Sequence, residues 1–598
     1  MASFAVWAPA ADQVRLWLLQ PAGHQQPSLG TEHAMQPAGN GWWRAEVGGA
    51  AAGTDYGFLI DDDTPLPDPR SRWQPDTVHG LSRCYDHHNY AWRDAGWTGR
   101  QLPGSVIYEL HVGTFTPKGT FSSAAERLDH LVNLGIDLVE LLPVNAVNGT
   151  HNWGYDGVGW YAVHEPYGGP DGLKQFVDAA HQRGVGVILD VVYNHLGPSG
   201  NYLPRFGPYL KPGRNTWGDL VNLDGPGSDE VRRYIIDNAL MWLSDYHIDG
   251  LRLDAVHALV DHRATHLLEE LVAEVDALST HLGRPLSLIA ESDLNDPRLV
   301  TAREAGGYGL HAQWNDDVHH AVHVLLTGET QGYYADFAAP DAIAKTFTGA
   351  FFHDGTWSRF RERSHGRPVD RRRLPGHRFV VFLQDHDQIG NRALGDRLSV
   401  TLSPGQLKIG ATLILTSPYT PMLFMGEEWA AGTPWQFFTS HPEPGLAAAV
   451  GQGRREEFAA HGWPADDVPD PQDPETFARS KLDWAELDDD RHAEILDYYR
   501  RLIALRHALP ELSDPRLDRV DVRRGELAGH PYLVIRRGRY TVACNLAGER
   551  RRIPLDGAPL TVMLASERGF VFRDGEIELP AESVAVIDLG TRDPDTHG

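Results

Sequence analysis

Three acidic side chains stand at the ends of three separate strand-like runs in this sequence. Asp254 ends one run, Glu291 directly follows Leu286–Ala290, and Asp387 comes shortly after Phe379–Gln384. Two carboxyl groups that face each other across a sugar can cleave a glycosidic bond, one as the nucleophile and the other as the proton donor. The three acids therefore predict glycoside chemistry, provided that the fold brings them together.

The neighbours of each acid predict a different role for it. Arg252 lies two positions before Asp254 and so on the same side of a strand, where its guanidinium favours the ionised form that a nucleophile needs. Glu291 emerges from apolar residues, which favour the protonated form that a general acid needs. Asp387, beside His386, is placed to stabilise positive charge. For any one acid a structural salt bridge or cap is the more frequent role, but three acids in matched contexts favour catalysis.

Eight strand candidates alternate with helical segments, and such strands would carry the acids at their carboxyl ends. The strand candidates are Val106–His111, Ile136–Leu142, Val185–Val192, Ile248–Asp254, Leu286–Ala290, Leu310–Trp314, Phe379–Gln384 and Pro421–Met425. The helical segments include Ala124–Leu134, Leu173–Arg183 and Asp229–His247, the last with Ser228 as its N-cap. The alternation predicts a closed (β/α)8 barrel. An open doubly wound sheet is the alternative, but no Gly-rich turn follows the first strand to support it.

Short alternating strands flank this barrel on both sides, so we expect a multidomain chain. Residues 1–95 read as an N-terminal β-sandwich, residues 96–505 as the barrel with insertions, and residues 506–598 as a C-terminal antiparallel β domain. The reactive acids all fall in the central part. We therefore expect catalysis there.

The composition argues against several classes of protein. The 598 residues include 81 acidic and 54 basic ones, a net charge of −27, which argues against a nucleic-acid partner. Cys84 and Cys544 form no metal or disulfide pattern, as expected in a reducing cytoplasm. No basic leader and no run of about 18 apolar residues is present, so neither a signal peptide nor a membrane span is expected.

The segments Asp190–His195 and Gly250–His257, with Glu291 and the pair His386–Asp387, resemble the active-site motifs of the α-amylase superfamily of glycoside hydrolases and transglycosylases. The resemblance implies that Asp254 is the nucleophile, Glu291 the acid/base catalyst and Asp387 the third carboxylate, which binds sugar hydroxyls. It also implies a set of sugar-site side chains, with Arg252 supporting the nucleophile: Tyr155, Asp190, His195, Arg252 and His386. For Tyr155, a packed core aromatic is the alternative.

Two features depart from that superfamily. Asp385 stands where the family usually has Asn before the His–Asp pair. The region of Asp190 and Asn194 helps to hold calcium in many amylases, yet the segment between His195 and Ser228 is short here and lacks a cluster of oxygen ligands. We therefore predict no required metal and no cofactor.

Within the superfamily, the chain most resembles the maltooligosyltrehalose trehalohydrolases. The N-terminal segments Phe4–Pro9 and Asp68–Arg72 resemble the β-sandwich that these enzymes share with branching and debranching enzymes. Further matching segments are Asn222–Pro226, Gln388–Ala393, Phe424–Trp429 and Ser480–Trp484. The resemblance implies a hydrolase that cuts the α-1,4 bond next to the terminal trehalose of an oligosaccharide, after a synthase has made that end.

Two other functions stay open. A branching enzyme would pass the same covalent intermediate to a sugar hydroxyl, and a glycogen-binding scaffold would use the barrel without catalysis. The complete set of carboxylates argues against the scaffold, because a binding module has no use for a buried proton donor. If the trehalohydrolase prediction is right, we expect trehalose to be contacted by loops after strands six to eight, at Trp314, Asn315 and the Gly426–Trp429 turn.

Overall fold

The computed structural model describes residues 2–19, 30–62, 64–460, 467–527 and 530–590. The N-terminal strands are β1 (Ala2–Trp7), β2 (Val14–Leu19), β3 (Gly30–Ala34), β4 (Gln36–Gly39), β5 (Trp42–Val47), β6 (Asp55–Ile60) and β7 (Ser82–Arg83). They form two antiparallel sheets, in the orders β1-β5-β4 and β3-β2-β6-β7. Side chains from both sheets, among them Val6, Leu16 and Phe58, are buried in one core. This is the expected β-sandwich.

The central strands include the eight that were predicted. They are β8 (Ile107–Leu110), β9 (Leu138–Leu141), β10 (Asn145–Ala146), β11 (Gly159–Val163), β12 (Gly186–Val191), β13 (Leu210–Arg214), β14 (Asp219–Val221), β15 (Gly250–Leu253), β16 (Ser287–Ala290), β17 (Ala312–Trp314), β18 (Thr356–Ser358), β19 (Arg363–His365), β20 (Phe379–Phe382) and β21 (Thr420–Phe424). Parallel pairing in the order β8-β9-β12-β15-β16-β17-β20-β21 closes a barrel. The prediction of a closed barrel is confirmed.

The barrel interior is a packed core because its strands carry apolar side chains inward. Ile107, Ile188, Ile289, Val380 and Met422 belong to one buried cluster inside the barrel. Strands covered on both faces read in a sequence as nearly continuous apolar runs. This explains why all eight could be recognised.

Helices lie between the strands along the chain and after the last barrel strand. They are α1 (Val112–Phe115), α2 (Phe121–Ala125), α3 (Leu128–Leu134), α4 (Gly169–Gln182), α5 (Leu203–Phe206), α6 (Ser228–Asp245), α7 (Leu267–Leu282), α8 (Asp316–Thr327), α9 (Ala342–Gly349), α10 (His386–Gly390), α11 (Leu398–Thr401), α12 (Pro404–Leu415), α13 (Pro444–Ala460), α14 (Pro474–Arg479) and α15 (Asp490–Ala508). None of the helices in the described ranges is both long enough and apolar enough to cross a membrane.

The predicted cap of the long helix α6 is wrong by one residue. Ser228 is its first helical residue, and the N-cap is Gly227, with φ of 78°. A backbone in this left-handed region favours glycine, so the chain enters the helix through a turn that Gly227 makes. Glycine has no side chain, so no side-chain hydrogen bond caps this end of the helix.

The last part of the chain is an antiparallel β domain, as expected. Its strands are β22 (Val520–Leu527), β23 (His530–Arg537), β24 (Tyr540–Asn545), β25 (Arg551–Pro554), β26 (Thr561–Ala565), β27 (Val571–Arg573), β28 (Glu576–Leu579) and β29 (Ser583–Asp588). They pair as β22-β23-β24-β29-β26 and β25-β28-β27. The barrel lies between this domain and the N-terminal sandwich along the chain.

Candidate active site

Asp254 directly follows β15, and its carboxylate accepts hydrogen bonds that fix its position. Arg252 Nη1 donates to Asp254 Oδ1 at 2.7 Å, and Asn194 Nδ2 donates to Asp254 Oδ2 at 2.8 Å. The same Arg252 nitrogen donates to Asp190 Oδ2 at 2.9 Å. Charge-assisted hydrogen bonds of this kind orient a carboxylate and stabilise its anion, which is the form that attacks a carbon atom.

Glu291 directly follows the next strand, β16, and lies beside Asp254. Its Oε2 accepts a hydrogen bond from the backbone N–H of Ala255 at 2.6 Å, and Arg252 Nη2 lies 3.9 Å from the same oxygen. Burial raises the pKa of Glu291 to about 8, and the Asp254 carboxylate adds to this effect against the opposing pull of Arg252. The carboxyl group therefore holds a proton at neutral pH, as a general acid must.

A chain of hydrogen bonds connects the strand ends beneath the cleft. His386 donates from Nδ1 to Glu109 Oε1 at 2.5 Å, and its Nε2 lies 2.8 Å from the Tyr155 hydroxyl, which donates to Asp190 Oδ2 at 2.7 Å. Burial opposes a charge on His386, but the carboxylates of Asp387 and Glu109 raise its pKa to about 10. The imidazole is therefore positively charged at neutral pH, and both of its nitrogens donate.

Tyr155 is more than a packed aromatic, because both its ring and its hydroxyl take part in this network. The ring stacks on His386 with centroids 5.3 Å apart, and it also faces the open cleft. A flat ring that is fixed in this way can support the face of a sugar. That Tyr155 stacks on a sugar stays a prediction.

Asp387 lies next to His386 and points into the cleft. Its side chain is 43% exposed, with Oδ2 3.6 Å from His386 Nε2. Asn391 Nδ2 donates to Asp387 Oδ1 at 3.2 Å. The carboxylate is thus held from one side and open to a ligand on the other.

Asp385 takes the place that the resemblance gives to Asn. It is fully buried at the start of α10, where its Oδ1 accepts the backbone N–H of Gln388 at 2.9 Å. Burial, with the nearby Glu109 carboxylate, raises the pKa of Asp385 well above its ordinary value. Burial thus favours the protonated form of Asp385, which is uncharged like the Asn of the resemblance.

His195 lies at the rim of the cleft, with both ring nitrogens near protein oxygens. Its Nε2 is 2.8 Å from the Tyr155 carbonyl oxygen, and its Nδ1 is 2.6 Å from Asn194 Oδ1. Trp217 stacks on the imidazole with centroids 5.8 Å apart. A contact between His195 and a sugar hydroxyl stays a prediction.

The residues that resemble a calcium region form hydrogen bonds with other predicted site residues. Asp190 bonds Arg252 and Tyr155, and Asn194 bonds Asp254. In the part of the chain that the structure describes, no group of three or more His, Cys, Asp or Glu side chains is arranged to hold a metal ion. That no metal is required stays a prediction.

One cleft of about 580 Å³ brings most of the predicted site residues together. Those on its surface are Tyr155, His195, Asp254, Glu291, His386 and Asp387. Arg252 and Asp190 lie directly below, fully buried and nearly so. The structure thus joins all eight predicted site residues in one site.

The cleft also has a wall that the sequence analysis missed. It comes from the segments after β16 and β17 and consists of Asp293, Asp316, His320, Tyr333, Phe360 and Arg361. Phe360 and Arg361 lie on the turn of the β18–β19 hairpin, where Arg361 Nη2 is 2.9 Å from Asp293 Oδ2. A signal for Asp316 existed, because it is an acid just after a predicted strand, like Asp254 and Glu291.

The loops after β17, β20 and β21, the sixth to eighth barrel strands, line the cleft, but the residues that we named in them, Trp314, Asn315 and the Gly426–Trp429 turn, do not. That trehalose contacts these loops stays a prediction. Trp314 is 3% exposed, and the Arg252 guanidinium lies 4.4 Å from its ring centroid. Asn315 Nδ2 donates to the Ala350 carbonyl oxygen at 2.9 Å. Both side chains therefore make contacts within the protein at this end of the barrel.

The Gly426–Trp429 turn is likewise buried. Glu427 accepts from the Tyr499 hydroxyl at 3.0 Å, and Glu428 accepts from the Tyr108 hydroxyl, also at 3.0 Å. Trp429 Nε1 donates to Glu486 Oε2 at 3.0 Å. A polar sequence pattern after a strand does not distinguish such internal partners from a ligand.

Comparison with protein families assigns both the sandwich and part of the barrel. Residues 2–73 match the model for carbohydrate-binding module 48, the isoamylase N-terminal domain, and residues 85–207 match the model for the alpha amylase catalytic domain. The structure is similar to a crystal structure described as that of an alpha amylase from Salmonella typhimurium. The TM-score is 0.88 at 38% identity, over 98% of this chain and 97% of the other.

Curated relatives match over nearly the whole chain. The malto-oligosyltrehalose trehalohydrolase of Rhizobium sp. strain M-11 is 57% identical over 98% of this chain and 97% of its own length. That of Arthrobacter ramosus is 62% identical over 88% of this chain and 90% of its own length.

Proposed function

Because this chain belongs to the malto-oligosyltrehalose trehalohydrolase family, we infer that it hydrolyses the α-1,4 glucosidic bond next to the terminal trehalose of a maltooligosyltrehalose and releases trehalose. The observation that supports this reaction is the pair of carboxyl groups, on Asp254 and Glu291, at the floor of the cleft. A carboxylate fixed by Arg252 lies beside a carboxyl group, on Glu291, that burial keeps protonated.

We propose a double displacement for the reaction. Asp254 Oδ attacks the anomeric carbon while Glu291 gives its proton to the bridging oxygen, so trehalose leaves and a glycosyl ester on Asp254 forms. The Glu291 carboxylate then takes a proton from water, the hydroxide oxygen bonds to the anomeric carbon, and Asp254 is released. Two inversions leave the new reducing end in the α configuration.

The supporting side chains stabilise the oxocarbenium-like transition state of both steps. Asp387 is open to the cleft and is placed to bind sugar hydroxyls, and the ring of Tyr155 lies against the reacting sugar. Arg252 keeps Asp254 oriented between attack and release. His195 and His386 complete the sugar site in this proposal.

The direction of the substrate follows from the position of the acid. Since Glu291 protonates the leaving oxygen, the leaving trehalose lies beyond Glu291, toward the wall from the segments after β16 and β17. The remaining glucan chain lies on the opposite side, near residues after β9, β20 and β21, such as Trp153, Asn391 and Phe437. Tyr333 and Phe360 give the leaving side aromatic surface.

We further propose a division of the chain into residues 1–95, 96–505 and 506–598, with catalysis in the second unit. We place the enzyme in the cytoplasm, following a separate synthase that builds the trehalosyl end. The two cysteines, Cys84 and Cys544, are both unpaired thiols, which fits a reducing compartment.

Product analysis tests the function. Wild-type protein incubated with maltotriosyltrehalose is expected to release maltotriose and trehalose in equal amounts. A branching enzyme would instead add branch points to amylose without new reducing ends, and a binding scaffold would leave both substrates unchanged. Either of these results would replace the proposal.

A further inference from the structure

Asp316 differs from its two neighbours in the chain, Asn315 and Asp317. The side chains of both neighbours are hydrogen-bonded within the protein, and the side chain of Asp316 is not among the bonds of the described residues. Asn315 caps α8 by accepting the backbone N–H of Val318 at 3.2 Å, and it donates to the Ala350 carbonyl oxygen at 2.9 Å. Both ends of the Asn315 amide are therefore occupied. The next side chain, that of Asp316, turns toward the cleft.

The Asp317 side chain is also hydrogen-bonded within the protein. Its Oδ2 accepts from Asn295 Nδ2 at 2.8 Å and from the backbone N–H groups of Phe352 and His353 at 2.8 and 2.9 Å. Asp316, in contrast, has no hydrogen-bond or ion-pair partner among the residues that the structure describes. A half-buried carboxyl group that lines a cleft without a partner is available to a ligand.

The surroundings of Asp316 are those of a sugar subsite on the leaving side. His320 lies one helical turn along α8, and its ring stacks on Tyr333 with centroids 4.8 Å apart. Phe360 contacts Tyr333 edge to face, with centroids 6.0 Å apart. Aromatic faces beside a few oriented polar groups are typical of sites that bind sugars.

The surroundings of Asp316 also favour its protonated form. Burial and the nearby Asp385 and Asp293 carboxyl groups raise the pKa of Asp316 well above its ordinary value. Burial lowers the pKa of His320 well below its ordinary value, so this neighbour is neutral and supplies no charge to ionise the acid. A neutral carboxyl group both donates and accepts, which suits a sugar hydroxyl.

We propose that Asp316 forms a hydrogen bond with a hydroxyl group of the leaving disaccharide and so serves as a binding residue of the leaving-group subsite. This inference rests on the proposed function, because it is the position of Glu291 as the acid that makes this wall the leaving side. Asp316 does not take part in bond cleavage. Its contribution is confined to substrates whose leaving group carries sugar hydroxyls.

The test compares two leaving groups in two variants. For maltotriosyltrehalose we expect Asp316→Ala to lower kcat/KM about tenfold, the effect of one lost hydrogen bond of about 1.4 kcal/mol. Asp316→Asn, whose amide still donates, should stay within about threefold of wild type. For 4-nitrophenyl α-maltotrioside, whose leaving group has no sugar hydroxyl, both variants should match wild type in nitrophenol release.

A matched control is Asp490→Ala, which removes an exposed acid from the first turn of α15, and it should change neither rate. Equal losses on the two substrates in Asp316→Ala would overturn the proposal, since the residue would then act on the catalytic groups. No loss on maltotriosyltrehalose would overturn it as well. A failure of the proposed function is seen separately, as a wild-type enzyme that releases no trehalose.

Discussion

The backbone N–H of Ala255 donates a 2.6 Å hydrogen bond to the Glu291 carboxyl group. Ala255 is the residue directly after Asp254, and its φ of 39° turns the chain over the end of β15. The turn that follows Asp254 thus holds the Glu291 carboxyl group, and the backbone N–H of Val256 donates to the Glu291 carbonyl oxygen at 3.0 Å. These two hydrogen bonds join the ends of β15 and β16 and fix Glu291 relative to the residue that follows Asp254.

Replacement of the nucleophile is the first prediction. Asp254→Asn keeps the shape of the side chain and a hydrogen-bond acceptor for Arg252, but an amide oxygen cannot form the glycosyl ester. We expect no turnover above background in a protein with a cooperative thermal unfolding transition. Activity near that of wild type in the purified variant would remove Asp254 from the mechanism.

For Glu291→Gln we expect a folded protein that binds oligosaccharide but cannot protonate the leaving oxygen. A proton donor contributes about 10²- to 10⁴-fold to the rate, so kcat should fall by that factor while binding in calorimetry is retained. An aryl glycoside, whose leaving group needs less protonation, should lose less activity. A loss below about tenfold on the natural substrate would point to another acid.

The pH dependence follows from the protonation state of Glu291. Since the protonated form is active and its pKa is raised to about 8, kcat/KM should fall as the pH rises through about 8. His386, with a pKa of about 10, stays charged across this range. A decline centred two or more pH units lower, measured on maltotriosyltrehalose, would mean that burial does not hold the proton on Glu291.

Tyr155→Phe tests the hydrogen-bond chain under the cleft. The variant keeps the ring that stacks on His386 but removes the hydroxyl between His386 and Asp190. Because a buried partner is left unsatisfied, at a cost of about 1 to 3 kcal/mol, we expect kcat/KM to fall about tenfold or more.

The matched control for Tyr155→Phe is Tyr193→Phe. The Tyr193 hydroxyl is buried and donates to Asn238 Oδ1 at 2.7 Å, outside the cleft. That variant should lose thermal stability and keep its activity. If both variants lost activity equally, a general loosening of the barrel would explain the effect of Tyr155→Phe.

The grouping of Asp254 and Glu291 could be predicted from the sequence because the pattern around each acid is local. Every residue of β16 is buried, so the strand reads as an apolar run, and Glu291, directly after it, lies at the carboxyl end of the barrel strands. The same reasoning identified Asp254. It missed Glu109, a carboxylate inside the β8 run, because nothing local indicates that His386 lies against it.

The wall of the cleft that the segments after β16 and β17 form could not be predicted in the same way. Tyr333 and Phe360 come from the long connection between β17 and β20, whose path over the barrel depends on tertiary contacts such as the one between Arg361 and Asp293. No periodicity in the sequence indicates the path of this connection. The expected contacts at Trp314 and the Gly426–Trp429 turn failed for the related reason that buried internal partners use the same residue types.

The preference between two isomeric substrates most directly tests the claim that the enzyme recognises trehalose as its leaving group. Maltotriosyltrehalose and maltopentaose have the same number of glucose units and differ in the linkage of the leaving disaccharide. A site that hydrogen-bonds specific hydroxyls rejects an analogue lacking that arrangement strongly, so we predict a kcat/KM for maltotriosyltrehalose at least about tenfold higher. Equal kcat/KM values for the two substrates would contradict the account.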